Sequence, residues 1–255
     1  MTTVSPNPAL ADVVRSFTIV ETDTETTRVL LPEMGAVLGI RYEGSAALIE
    51  GVRTTVLPDV TLTGMRNSVR RMCTSAGGGI VVVSFREDGA RAVFDVPVRE
   101  LFNGIAGLDR WVVGEVIEDL QQAVVSAKDS ASRIRIVEQF LLTRKSHKHR
   151  DATVTAAVRT MRSTRGAISI RSLAAGLGLS LDRFEKRFRL AVGASPKQYC
   201  SILRVRQALG CFRANMNLAD LASEAGYYDQ SHFIREFRAV TGETPQRFLR
   251  SADYC

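Results

Sequence analysis

The 255-residue sequence predicts an α+β chain: a β-rich, barrel-like amino-terminal domain with trailing helices, then an all-α domain built on one duplicated helical unit. Three observations carry this reading. Short apolar and β-branched runs fill residues 17–86, helical periodicity takes over after residue 88, and the last third of the chain repeats itself.

Taken in order, Phe17–Thr22, Thr27–Leu31, Ala36–Tyr42, Ala46–Glu50, Thr54–Leu57 and Gly79–Phe85 read as strands, most of them punctuated by Pro, Gly or Asp. Gly77-Gly78-Gly79 reads as a flexible turn rather than a phosphate loop, because no Lys-Ser/Thr follows and Ile80–Val83 is strand-like. Ala90–Phe94 and Val98–Phe102 are predicted as short helices separated by Pro97. Leu108–Val125 follows as a longer amphipathic helix, with Val112, Val116, Ile117 and Leu120 on one face. Ser132–Thr143 repeats the helical pattern through Ile136, Phe140 and Leu141.

The charged stretch from Arg144 to Arg150 lacks apolar periodicity and marks a junction between residues 1–145 and 151–255. His147 and His149 sit there with one nearby acid, Asp151, and no thiol, so a solvated linker is preferred to a metal site. Charge divides at the same place. Eighteen Lys and Arg in residues 1–150 meet eighteen Asp and Glu, whereas residues 151–255 hold sixteen against nine, so the whole +7 lies in the second part. A neutral half joined to a basic half suggests that only the second faces a polyanion. Its cations are dispersed over several short helices and form no amphipathic strip for lipid.

The most specific feature lies within residues 169–249. Leu173-Ala174 aligns with Leu221-Ala222 and Gly178 with Gly226, at an offset of 48. After one extra residue the offset becomes 49, and Phe184, Phe188, Arg189, Gly193, Pro196 and Tyr199 match Phe233, Phe237, Arg238, Gly242, Pro245 and Phe248. Each copy reads as two helices with a glycine turn between them. Ser169 and Ser180 cap the first pair, Asn217 and Asp229 the second, and the paired phenylalanines pack back on the preceding helix. Gly193 and Gly242 end the second helices, while Ser195-Pro196 and Thr244-Pro245 start the next. This is the helix-turn-helix pattern, whose second helix enters the major groove of DNA. Such a unit also occurs in enzymes and structural bundles, but two copies with matching caps on the basic half favour DNA binding.

Ser195–Arg213 reads as one helix of about eighteen residues, hence roughly 27 Å long. With its neighbours it could hold the two recognition helices about 34 Å apart, one turn of DNA. Single-chain reading of two adjacent groove segments follows.

With these motifs in hand, the sequence closely resembles the AraC/XylS family of bacterial transcription regulators. The stretches concerned are Leu173–Arg189, Gly193–Tyr199 and above all Gly226–Pro245, GYYDQSHFIREFRAVTGETP. The resemblance covers roughly residues 152–250. More weakly, residues 84–103 resemble the β-rich sensor domain of one subgroup, although that pattern has Pro-Gly where this chain has Glu87-Asp88-Gly89 after Phe85-Arg86. Such a resemblance implies a sensing or dimerising amino-terminal domain and a carboxy-terminal DNA reader that adjusts transcription.

A step of about 100° per residue, with Phe184 and Phe188 buried, puts Asp182, Lys186 and Arg189 outward, flanked by Arg183 and Glu185, with the capping Ser180 at the entry. In the second copy Ser231, Arg235 and Arg238 face outward, with Gln230 at the entering end and His232 and Ile234 at the sides. Arg235 suits a bidentate contact to guanine and Gln230 one to adenine. Asp182–Lys186 and Glu185–Arg189 are spaced i,i+4, so Glu185 reads as structural and Lys186 as the contact. His232 reads as a phosphate or turn contact.

The expected partners are double-stranded promoter or operator DNA and a small-molecule effector or protein bound to the amino-terminal domain. RNA polymerase and a second copy of the chain are further candidates. No cofactor, metal or membrane is expected. No apolar run of about eighteen residues and no secretion signal is read from the sequence, so the expected location is the cytoplasm. Cys73, Cys200, Cys211 and Cys255 lack metal spacing and read as reduced thiols; Cys200 and Cys211, on one helix, lie roughly 16 Å apart. Two other functions compete: an architectural DNA-binding protein without effector, and an enzyme fused to a DNA reader. Against the enzyme, the chain before the junction contains no His, and Cys73 has no general base near it in sequence.

Overall fold

A computed structural model describes residues 1–146, 151–213 and 216–250. Alternating burial builds the amino-terminal half from two antiparallel sheets. The first sheet contains β1 (Thr2–Val4), β2 (Val14–Thr22), β4 (Val37–Glu43), β7 (Val60–Thr63), β9 (Gly78–Phe85) and β10 (Ile105–Gly107). Their order is β1-β2-β9-β4-β7-β10. In β2, Val14, Phe17 and Ile19 turn inward against Val81, Val83 and Phe85 of β9, as a half-buried strand requires. The second sheet places β3 (Thr26–Leu30), β8 (Arg70–Thr74), β5 (Ala46–Glu50) and β6 (Arg53–Val56) side by side in that order.

Every predicted strand is present within a few residues of its expected bounds, and four others join them. β1 and β10 are three-residue edge strands; β7 is short; β8 opens with Arg70-Arg71, a pair that hides its strand character. Each is fixed by its register with a neighbour, as in Thr2↔Ile19 and Ala106↔Leu62.

The trailing helices are α1 (Gly89–Phe94), α2 (Gly114–Val125) and α3 (Ser130–Arg144). Two expectations need correction. Val98–Phe102 is not a helix but a run of turns, closed by Leu101 N–H to Val98 O and Phe102 N–H to Arg99 O and ended by Asn103 at φ +60°. Asn103 donates to Met65 O instead of continuing a helix. The predicted Leu108–Val125 helix is also two pieces. A 3-10 turn spans Leu108–Arg110, and α2 begins only at Gly114, because the extended Val113 (ψ 134°) separates buried Val112 from the helix. α2 and α3 lay Ile117, Leu120, Val124, Ile134, Val137 and Leu141 onto the same core as the first sheet.

The start of the junction is held in place rather than freely solvated. Arg144 ends α3, Lys145 Nζ bonds Asp12 at 2.7 Å and Ala9 O at 2.6 Å, and Ser146 N–H donates to Ala92 O. His147 and His149 lie outside the described residues, as does Cys255.

The carboxy-terminal half is helical: α4 (Ala152–Ser163), α5 (Ile170–Gly176), α6 (Leu181–Val192), α7 (Pro196–Cys211), α8 (Leu218–Glu224), α9 (Gln230–Thr241) and α10 (Pro245–Arg250). α7 spans sixteen residues, not the expected eighteen or so, and is about 24 Å long. Its core is split in two. Phe184, Phe188, Tyr199 and Ile202 pack with α4 and α5; Val205, Ala208, Phe233, Phe237 and Phe248 pack with α8. Met34 and Met65 of the amino-terminal half are buried in the first cluster, and Val29, Leu31 and Val69 pack against the second.

Candidate nucleic-acid interface

The two helical units are built alike, from the cap upward. In the first, Ser169 accepts from Ser172 N–H and Ser180 from Arg183 N–H; in the second, Asn217 accepts from Asp220 N–H and Asp229 from His232 N–H. These side chains satisfy backbone donors that a helix start leaves free. Gly178 (φ +69°) and Gly226 (φ +80°) supply the same left-handed turn. Leu179 N–H then reaches Ala174 O at 3.0 Å, and Tyr227 N–H reaches Ala222 O at 2.9 Å. Phe184 and Phe188 rings lie 5.8 Å apart, Phe233 and Phe237 rings 5.5 Å apart, and Tyr199 and Phe248 close each set edge-on. The repeat seen in the sequence is therefore a repeat of geometry.

Burying the phenylalanines leaves one polar face on each second helix. Ser180, Asp182, Arg183, Lys186 and Arg189 are exposed on the α6 side, and Gln230, Ser231, Arg235 and Arg238 on α9. Arg189 is held by Glu185 at 2.7 Å, so that pair serves the helix as expected. Arg235 Nε leans back toward Ser231 O at 3.4 Å. His232 is half-buried, its ring 5.3 Å from Tyr227, which suits a packed turn residue.

Two ion pairs that the sequence reading did not single out orient these helices. Asp151 caps α4 through Thr153 and Val154 N–H and grips Arg187 of α6 with both oxygens at 2.8 Å. Burial opposes ionisation of Asp151, but Arg187 and the two N–H groups outweigh it and hold its carboxyl below the usual range. Arg204, midway along α7, binds Glu236 of α9 at 2.9 and 2.6 Å and Gly166 O, just ahead of α5, at 2.6 Å. One guanidinium thus ties α9 to the loop between α4 and α5. The signal in sequence was an Arg on the polar side of a predicted helix, which alone names no partner.

The amino-terminal half reaches both second helices at their far ends. Val69 N–H donates to Val240 O near the end of α9 at 2.9 Å. At the end of α6, Gly193 has φ +90°, and a Cβ there would lie 2.6 Å from Val98 O, so only glycine fits. Arg206 of α7 bonds Pro32 O and Glu33. Two cavities lie at this boundary. One of about 320 Å³ is lined by Asp12, Arg86, Glu87, Val158 and Arg162, the other of about 350 Å³ by Arg15, Met34, Leu203 and Arg206. Among the described residues no helix is long and apolar enough to cross a membrane, and no cluster of three or more His, Cys, Asp or Glu could hold a metal ion.

Residues 173–251 match a family described as a helix-turn-helix domain. Over 81 residues the chain is 35% identical to the HTH-type transcriptional regulator ExsA of Pseudomonas aeruginosa, covering 31% of this chain and 28% of that protein. Over 74 residues it is 34% identical to the virulence regulon transcriptional activator VirF of Yersinia enterocolitica, covering 28% of this chain and 26% of that one. The matches thus span little more than a quarter of either relative. Among solved structures, an apo form of ToxT from Vibrio cholerae aligns over 96% of this chain and 98% of its own, at 12% identity and a TM-score of 0.49. Duplicated caps, turns and aromatic cores agree with the matched segment, and residues 173–251 are similar to this helix-turn-helix domain family.

Proposed function

We propose that the chain is a sequence-specific transcriptional regulator that reads double-stranded promoter or operator DNA through α6 and α9. The observation that carries this is the pair of side-chain-capped helices, each with an exposed polar face, on the half that holds the entire +7. On this reading Arg235 forks onto a guanine edge and Gln230 onto adenine, while Lys186, Arg183 and Arg238 meet bases or phosphates beside them. Ser180, Ser231 and His232 sit at the helix starts, where phosphates approach. Asp182 borders the groove, and Arg189 reaches phosphate from its pairing with Glu185.

Residues 1–145 then act as the controlling part and 151–255 as the reader. Contacts at the ends of α6 and α9 support this division, because a ligand or partner that alters the amino-terminal half alters the seating of both readers. The boundary cavities are large enough for a small metabolite. RNA polymerase and a second copy of the chain are the further partners this reading invites, and its place of action is the cytoplasm.

The test is a gel-shift titration against duplexes enriched from a random pool. With about six phosphates neutralised, log K should fall with log salt at a slope of about −5, and a slope shallower than about −2 would contradict the charge argument. Thermal-shift screening of the purified protein against metabolites separates an effector-controlled regulator from an architectural protein.

A further inference from the structure

The second unit carries one residue more than the first, and its place is visible in the turn. Gly178-Leu179-Ser180 leads into α6, whereas Gly226-Tyr227-Tyr228-Asp229 leads into α9. Tyr227 takes the part of Leu179, with the same backbone bond to the preceding helix and a ring only 7% exposed. Asp229 takes the part of Ser180 as the cap. The additional residue is therefore Tyr228, and it is 96% exposed. It is the one exposed aromatic residue among those described.

We propose that Tyr228 is a DNA-backbone contact of the second unit, its ring lying on a deoxyribose and its hydroxyl donating to a phosphate at the groove edge. The inference rests on the reading of this domain as a DNA reader. A bare aromatic ring gains by being covered, and aromatic side chains are enriched in interfaces for that reason. Tyr228 adjoins the start of α9, beside exposed Gln230 and Ser231, so a DNA strand entered by that helix passes it. The cap at this point is an acid, Asp229, already occupied by His232 N–H and repulsive to phosphate. An uncharged donor with an apolar face is the group beside it that suits both parts of the backbone. In the first unit the cap is neutral Ser180 and the turn has no such residue.

The experiment uses the full-length protein and two duplexes, one enriched from a random pool and a scrambled one of equal composition. Tyr228→Ala should weaken binding to both about 10-fold, since interface aromatics are frequent anchors. Tyr228→Phe, which keeps the ring, should lose only about 3-fold. Neither changes the salt slope, because no charge is removed. Unchanged affinity of the Ala variant overturns the proposal, and so does a loss confined to the enriched duplex, which would place the ring on a base. Wild-type protein that enriches no sequence and binds neither duplex would instead sink the DNA-reading function itself.

Discussion

Glu87 and Tyr199, 112 residues apart, share a 2.6 Å hydrogen bond across the boundary between the β-rich half and the first helical unit. The same carboxylate oxygen receives Arg162 Nε of α4 at 3.0 Å, and Arg15 of β2 lies 3.3 Å away. Glu87 opens the Glu87-Asp88-Gly89 stretch at which this chain departs from the pattern that residues 84–103 otherwise resemble. Its side chain is only 9% exposed, so one acid from the β9–α1 turn is embedded among cations of both halves.

Removing that charge should loosen the boundary. Glu87→Gln is expected to cost about 1–3 kcal/mol of unfolding free energy, below the figure for a fully buried pair because Arg162 remains 37% exposed and screened. Urea unfolding measures it; an unchanged midpoint would mean that the contact contributes nothing. The pH dependence has a definite sign. Burial raises the carboxyl, but Arg162, Tyr199 and Arg15 outweigh it, and Glu87 ionises below the ordinary range. Its contribution is complete above the unfolded value of about 4.3 and is lost as pH falls through the lower folded value. The gap between wild type and Glu87→Gln should therefore hold from neutral pH down to about 5 and close below that.

The caps, glycine turns and buried phenylalanines of both units were legible because each depends on residues a few positions apart. Leu173, Ala174, Phe184 and Phe188 define one face of two adjacent helices whatever surrounds them. Glu87–Tyr199, Arg204–Glu236 and the burial of Met34 against α4–α7 were not legible, since nothing in local periodicity says which distant surface an Arg or Met will meet. Strand β8 failed for a related reason. Arg70-Arg71 reads as polar loop until β3 and β5 pair on either side of it.

The α7 helix should be indivisible from the reader it supports. Val205 is 1% exposed in the second cluster, one turn beyond Ile202 in the first. Val205→Asp buries an unpaired charge at that crossover and should cost several kcal/mol. Circular dichroism and DNA binding are expected to fail together. A folded variant with wild-type affinity would contradict this role for α7.

Base preference should depend on α9 more than on the helix that precedes it. Arg235→Ala is expected to lose about 1–3 kcal/mol and to relax selection at one base pair. Arg213 is the control, being 73% exposed and 3.4 Å from Glu224, and its replacement by Ala should leave selection unchanged. Selection from a random pool with each variant decides the matter. An equal loss on every sequence would make Arg235 a phosphate contact.

Residues 151–255 should fold and bind DNA alone, but less stably than the intact chain. Both aromatic clusters, every cap of the two units, and the Arg187–Asp151 and Arg204–Glu236 pairs lie within this segment. What the fragment loses is specific: Met34 and Met65 from the first cluster, the Val69 N–H on Val240 O, and Glu87 against Tyr199 and Arg162. Two buried Met side chains alone represent about 3–6 kcal/mol of burial, so its urea midpoint should fall clearly below that of the full chain. Affinity should fall as well if the amino-terminal half joins two copies, since linked readers gain roughly 10²–10⁴-fold. Any response to an effector should vanish with residues 1–145, because every contact that the amino-terminal half makes with α6, α7 and α9 goes with them. Gel-shift titrations of fragment and full chain on one operator, with and without effector, compare the two directly. A fragment that still responds would place the sensor among the helices and overturn the division of labour.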